Sequence, residues 1–148
     1  MFQLKRPHGA PLTVLLALYV LALMMPAVAF SVELIVHPGV PETSLTHAES
    51  RGIFTGRISH WTNGKAIRVF VLPEHSALHQ SFAKKLLDMF PYQLKAAWNR
   101  IIYTGIGQAP IMVSSEGEML RMVAETPGAI GYISEVQLND KVRVLPIR

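Results

Sequence analysis

The spacing of apolar residues divides the chain into a greasy start and an alternating series of strands and helices. From Leu12 to Met25 about fourteen residues are apolar almost without a break. Beyond residue 30 the period changes. Val32, Leu34 and Val36 alternate with less apolar neighbours and Pro38-Gly39 follows, which predicts a strand. Thr46 and Glu49 have capping-box spacing ahead of Ile53-Phe54, and Gly56 stands at a C-cap position, so a short helix follows. After the turn residues Thr62-Asn63-Gly64, the stretch Ala66 to Leu72 is apolar except for Arg68, which suits a strand inside a covered sheet, and Pro73 ends it.

Ser76 is placed to cap a helix in which Leu78, Phe82 and Leu86 recur every four residues while Lys84, Lys85 and Asp88 face water. Pro91 fits a first helical position, and Leu94, Ala97, Trp98, Ile101 and Ile102 then trace one apolar stripe. Gly105, Gly107 and Pro110 mark a loop into a short strand at Ile111 to Val113. Ser115 and Glu118 form a second capping-box pair for a helix through Met119, Leu120 and Val123, stopped by Pro127-Gly128. Ala129 to Ile133 and Val142 to Leu145 read as closing strands. Strands alternating with helices predict an α/β domain whose central mixed sheet is flanked by helices.

Lys5 and Arg6 precede the apolar run, and Pro26-Ala27-Val28-Ala29 follows it with a small-x-small site. That order is the pattern of a secretory leader. It predicts cleavage after Ala29, a signal peptide over 1–29 and a domain over 30–148, with a periplasmic location and no membrane anchor once the leader is removed. An uncleaved tether is the alternative, although a spanning helix needs roughly twenty apolar residues. Removing the charges of Lys5 and Arg6 from the net +4 leaves +2, too little to argue for nucleic acid. No cysteine is present, which excludes disulfides, thiolate nucleophiles, cysteine-ligated zinc and an acylated N-terminal cysteine.

Candidate chemistry centres on the turn from Leu72 to Ala77, between a predicted strand and a predicted helix. A helix start exposes unpaired N–H groups and the positive end of the helix dipole, so it can hold an anion. Glu74, His75, Ser76, Ala77 and His79 are the ligand-binding candidates there, and an ordinary N-cap explains the same residues without a ligand. His75 and His79 are four apart, a workable spacing for two metal ligands, but nothing supplies a third; with His37, His47 and His60 they read as solvated histidines. No metal site and no cofactor is expected. Ser114-Ser115 is explained by helix capping, and Glu116, Glu118 and Glu125 by a solvated face. No elbow, Walker loop, zinc-protease or dinucleotide motif is present, so no catalytic residue is assigned. Trp98 lies on an apolar stripe and belongs to the core, whereas Trp61 is free to stack on a ligand.

The segment from Leu45 through Ile53-Phe54-Thr55-Gly56 to Trp61, with Thr126-Pro127-Gly128-Ala129-Ile130-Gly131-Tyr132 about seventy residues further on, resembles the phosphate-binding proteins of ABC importers, which have the type II periplasmic binding fold. The resemblance covers most of the chain beyond residue 30 and implies one lobe of that two-lobed fold. It also implies a non-enzymatic, exported solute-binding protein that takes phosphate or another small anion and works with an ABC importer. The family's phosphate loop, of the form R-S-D-G-S-G-T, falls on Leu72 to Leu78. Glu74 stands for its acidic residue and Ser76 for a phosphate-contacting serine, while Leu72 replaces the arginine, Ala77 a glycine and Leu78 the threonine. Loss of a charge-assisted donor and a hydroxyl argues for weaker binding or a different ligand. The alternative is a periplasmic interaction module, a partner for a membrane sensor, in which Leu72 and Leu78 would form an apolar contact surface.

Overall fold

The computed structural model describes residues 11–23, 31–134 and 139–148, and it begins with helix α1 (Leu12–Leu23), aliphatic apart from Thr13 and Tyr19. No helix among the described residues is long and apolar enough to cross a membrane. The expected cleavage site at Pro26 to Ala29 lies outside the described residues.

The remaining elements are β1 (Val32–Val36), α2 (His47–Phe54), β2 (Arg68–Val71), α3 (Ala77–Leu86), α4 (Pro91–Thr104), β3 (Ile111–Met112), α5 (Glu116–Glu125), β4 (Ala129–Ser134) and β5 (Arg143–Val144). The sheet has the order β3-β2-β4-β1-β5. β2 runs parallel to both β3 and β4, while β1 is antiparallel to β4 and β5, so the sheet is mixed as expected. β4 is buried along its whole length between β1 and β2. β1 is more deeply buried than its alternation suggested, because it too is an interior strand: Leu34, Ile35 and Val36 are all covered.

Caps set the helix starts. Thr46 Oγ1 accepts from the N–H of Glu49 at 3.1 Å, and the Glu49 carboxylate accepts from the N–H of Thr46 at 2.7 Å, which completes the anticipated capping box. At α5, Ser115 Oγ accepts from the Glu118 N–H at 3.1 Å, but the Glu118 carboxylate reaches one residue further back, to the N–H and hydroxyl of Ser114. These bonds hold the Glu118 carboxyl below its ordinary value. Glu116 is not part of a solvated face: its carboxylate accepts from the N–H and hydroxyl of Ser134 at 2.8 and 2.7 Å and ties the start of α5 to the end of β4.

Helices cover both faces of the sheet. Gly131 of β4 faces α5, and an added Cβ would collide with Met119, so the missing side chain is what lets that helix settle on the strand. Tyr132, the next residue, points to the opposite face, where its ring stacks on Phe82 of α3 at 3.7 Å between centroids and lies 6.2 Å from Phe54 of α2. α4 lies against α3 and buries only Leu94 completely. Trp98 is partly buried, with its indole N–H donating to the Phe54 carbonyl at 2.7 Å. Ile102, expected on the buried stripe, is 62% exposed, because α4 is covered along one side only.

The strand expected over Ala66 to Leu72 is shorter at both ends. Trp61 and Ile67 donate to the carbonyls of Lys65 and Ser59, closing a hairpin ahead of β2, and Leu72 leaves the ladder to bond a side chain of β4. Trp61 is itself a correction. It is buried, and its indole N–H donates to the Gly128 carbonyl at 2.9 Å, so it has no face free for a ligand. That contact joins the segment ending at Trp61 to the Thr126–Tyr132 segment. Gly128 has φ +77°, and a Cβ there would sit 2.5 Å from the Ala66 carbonyl oxygen. Gly128→Ala is therefore expected to destabilise the domain by about 1–3 kcal/mol from backbone strain alone, with the steric clash in addition. Urea unfolding of the two proteins measures the difference, and an unchanged midpoint would show that this junction carries no stability.

Candidate functional site

β2 delivers the chain to the α3 start at the carboxyl end of its strand, the place where open α/β sheets gather ligands. The Ser76 N–H donates to the Pro73 carbonyl at 2.9 Å and shapes the turn. Ser76 then caps α3, its hydroxyl accepting from the His79 N–H at 3.4 Å. Within the helix there is no acceptor for the N–H groups of Ala77 and Leu78. Glu74 and His75 are exposed in the turn and Ala77 is exposed in the first position of the helix. Glu74 is ion-paired at 2.7 Å with Lys95, which reaches across from α4. Lys95 was not legible as a site residue, since on α4 it reads as one more solvated position.

His79 departs from the expectation. The pair His75–His79 does not share a helix face, because α3 begins at Ala77 and His75 precedes it. His79 is not solvated either: it is 1% exposed and packs among Phe82, Trp98 and Tyr132. Its Nδ1 lies 2.5 Å from the Tyr132 hydroxyl, which also accepts from the N–H of Leu72 at 2.9 Å. The hydroxyl oxygen thus accepts from Leu72 while the same hydroxyl is hydrogen-bonded to His79 Nδ1, the imidazole tautomer setting which of the two donates. Burial pushes His79 below its ordinary pKa, with the Glu74 carboxylate opposing the shift, and burial pushes the Tyr132 phenol up. Both groups are thus held neutral. Of the candidates, the fold brings Glu74, Ser76 and Ala77 together at the helix start, leaves His75 on the outside of the turn and turns His79 into the core.

Leu72 and Leu78 are 4% and 6% exposed. They belong to the core of this chain and provide no apolar contact surface. No group of three or more His, Asp or Glu placed to hold a metal ion occurs among the described residues. Tyr132 is a further member of this region, joined to both Leu72 and His79. It was visible only as the last letter of a motif, since a tyrosine in a strand is an ordinary core residue.

The chain carries the fold of the phosphate ABC transporter substrate-binding proteins. It resembles an ABC-type phosphate transport receptor from Vibrio cholerae with a TM-score of 0.63 and 20% identity, over 80% of this chain and 46% of that one. A substrate-binding protein of Clostridium perfringens, solved with bound phosphate, gives 0.65 and 21% over 80% and 45%. PstS from Borrelia burgdorferi gives 0.62 and 20% over 80% and 47%. In sequence the chain is 29% identical over 120 residues to the phosphate-binding protein PstS of Bacillus subtilis, covering 76% of this chain and 34% of the relative. It therefore spans about a third of that relative and somewhat under half of the solved receptors. No protein-family model matches the chain.

Two outcomes test the buried bridge. Tyr132→Phe removes the acceptor for the Leu72 N–H and the partner of His79, at an expected cost of about 1–3 kcal/mol for each group left unpaired, measurable by urea unfolding. For His79 the folded pKa lies below the unfolded value, taken as 6.5, so the unfolded chain binds more protons as pH falls beneath that value. The stability is complete above pH 6.5 and declines on acidification by at most about 1.4 kcal/mol per pH unit, levelling off below the folded pKa. His79→Gln should flatten that part of the pH profile, and an identical slope in both proteins would contradict the assignment.

Proposed function

We propose that this chain is an exported, non-enzymatic solute-binding protein that holds phosphate or a similar small anion at the start of α3. The observation that carries the reading is the combination of the receptor fold with a helix N-terminus at the carboxyl end of β2, where Ser76 caps the helix and the N–H groups of Ala77 and Leu78 have no helical acceptor. Glu74 by itself would repel an anion there. Its ion pair with Lys95 offsets that charge and leaves the helix dipole as the main electrostatic attraction.

Binding is expected to be weak. Leu72, at the position that the phosphate loop fills with arginine, faces the core and supplies no guanidinium. The chain spans under half of the length of the solved receptors it resembles, so the contacts argued for the anion are those of the α3 start alone. Delivery of the anion to an ABC importer follows from the same reading. So does the leader: the positive start and the apolar run through α1 support export, with removal after Ala29 placing the domain in the periplasm. The sensor-partner alternative loses its footing with the burial of Leu72 and Leu78.

Titration of the chain with phosphate and sulfate, followed by calorimetry and by the amide NMR signals of Ala77 and Leu78, tests the site. The expected result is saturable binding at millimolar anion with shifts confined to the α3 start, and weaker binding for Lys95→Glu. Absence of heat and of amide shifts at millimolar phosphate would remove the binding claim. An N-terminal sequence of the protein recovered from an exporting bacterium, beginning at Phe30, would establish cleavage.

A further inference from the structure

A groove of about 750 Å³ lies between the C-terminal end of α2, with the loop after it, and the outward side of α4. It is separate from the α3 start. Met89, Ala97 and Ile101 contribute to an apolar floor, while Arg51 from α2, Arg57 from the loop and Arg100 from α4 stand around it. No carboxylate lines the groove, and none of the three guanidinium groups makes an ion pair with a described residue. The surface acids found in ion pairs are engaged elsewhere, Glu74 with Lys95 and Glu118 and Glu125 with Arg121.

The groove has a defined shape. The Trp98 indole bonds the Phe54 carbonyl at the end of α2 and fixes the separation of its walls. Gly56 has φ +76°, a backbone conformation that favours glycine, and a Cβ there would displace the tip of the Ile101 side chain. A basic residue near a helix C-terminus complements the helix dipole, and this accounts for Arg51 alone. It does not account for arginines from three separate elements around an apolar floor.

We propose that this groove docks an acidic amphipathic helix of a partner protein, its apolar side chains covering Met89, Ala97 and Ile101 and its carboxylates pairing with Arg51, Arg57 and Arg100. A groove of this volume is far larger than an inorganic ion, and its mostly apolar lining has no means of enclosing one. An apolar floor with cations from three elements around it suits a helix about 10 Å across, with one apolar and one acidic face. Planar, bidentate recognition of carboxylates is the chemistry that arginine serves best, and helix-in-groove docking supplies the apolar part. The proposal does not depend on anion binding at the α3 start.

The test uses the full chain and a dye-labelled helical peptide of about 18 residues, five turns, with leucine along one face and glutamate along the other. Fluorescence anisotropy should show saturable binding that weakens as salt rises. A peptide with lysine in place of glutamate should not bind. The doubly substituted Arg57→Glu, Arg100→Glu protein should bind the acidic peptide at least about tenfold more weakly, given the strength of charge-assisted pairs, and Arg57→Lys, Arg100→Lys, which keeps the charge but loses the bidentate fork, should bind with an affinity between the two. Both positions are exposed, so circular dichroism and melting should be unchanged in these variants. Equal binding of the two peptides, no binding of the acidic one, or an affinity indifferent to the charge reversal would overturn the proposal. So would sedimentation with phosphatidylglycerol vesicles that the acidic peptide fails to displace.

Discussion

A single buried hydroxyl holds β2, the turn after it and the start of α3 to the centre of the sheet. Tyr132 sits in the middle of the sheet, and its oxygen takes the N–H that Leu72 withdraws from the β2 ladder while the same hydroxyl is hydrogen-bonded to His79 in the first turn of α3. Strand, turn and helix are thereby joined inside the core, under the stack of Phe82 on the tyrosine ring. The direction in which the α3 start points, and with it the place where an anion would meet its free N–H groups, follows from this bridge. Burial disfavours charge on either partner and so favours a neutral network.

The two segments that resemble the phosphate-binding proteins have structural work in this chain. Trp61 closes on Gly128, Gly128 permits the approach of Ala66, Gly131 admits α5, and Tyr132 anchors α3. Their recurrence marks a way of assembling the lobe, and none of these contacts touches the proposed anion. At the turn into α3, Leu72 and Leu78 are buried and Ala77 is exposed at the first helical position.

Much of the architecture was legible from periodicity. The strands and helices beyond residue 30, the caps at Thr46, Ser76 and Ser115, and the mixed sheet with flanking helices all follow from apolar spacing and turn chemistry. The site was harder to read. Histidine spacing suggested a shared face for His75 and His79, yet helix α3 starts between them, and a polar letter gave no warning that His79 lies under Trp98 and against Tyr132. Leu72 and Leu78 looked like an exposed apolar replacement of an anion cradle, and both are buried. Lys95, from another helix, carries no local signal because its ion pair with Glu74 spans 21 positions of chain.

Local chemistry, written in neighbouring residues, determined which segments extend, which coil and where each helix starts, since capping and amphipathic period act within one or two turns. It also determined the absence of cysteine chemistry and the leader-like start. Which side chains meet was decided only by tertiary structure. The pairing of Trp61 with Gly128, the neutral bridge through Tyr132 and the three arginines around one groove each join residues far apart in the chain. A one-dimensional pattern tells each element which face to bury, but not which neighbour will cover it.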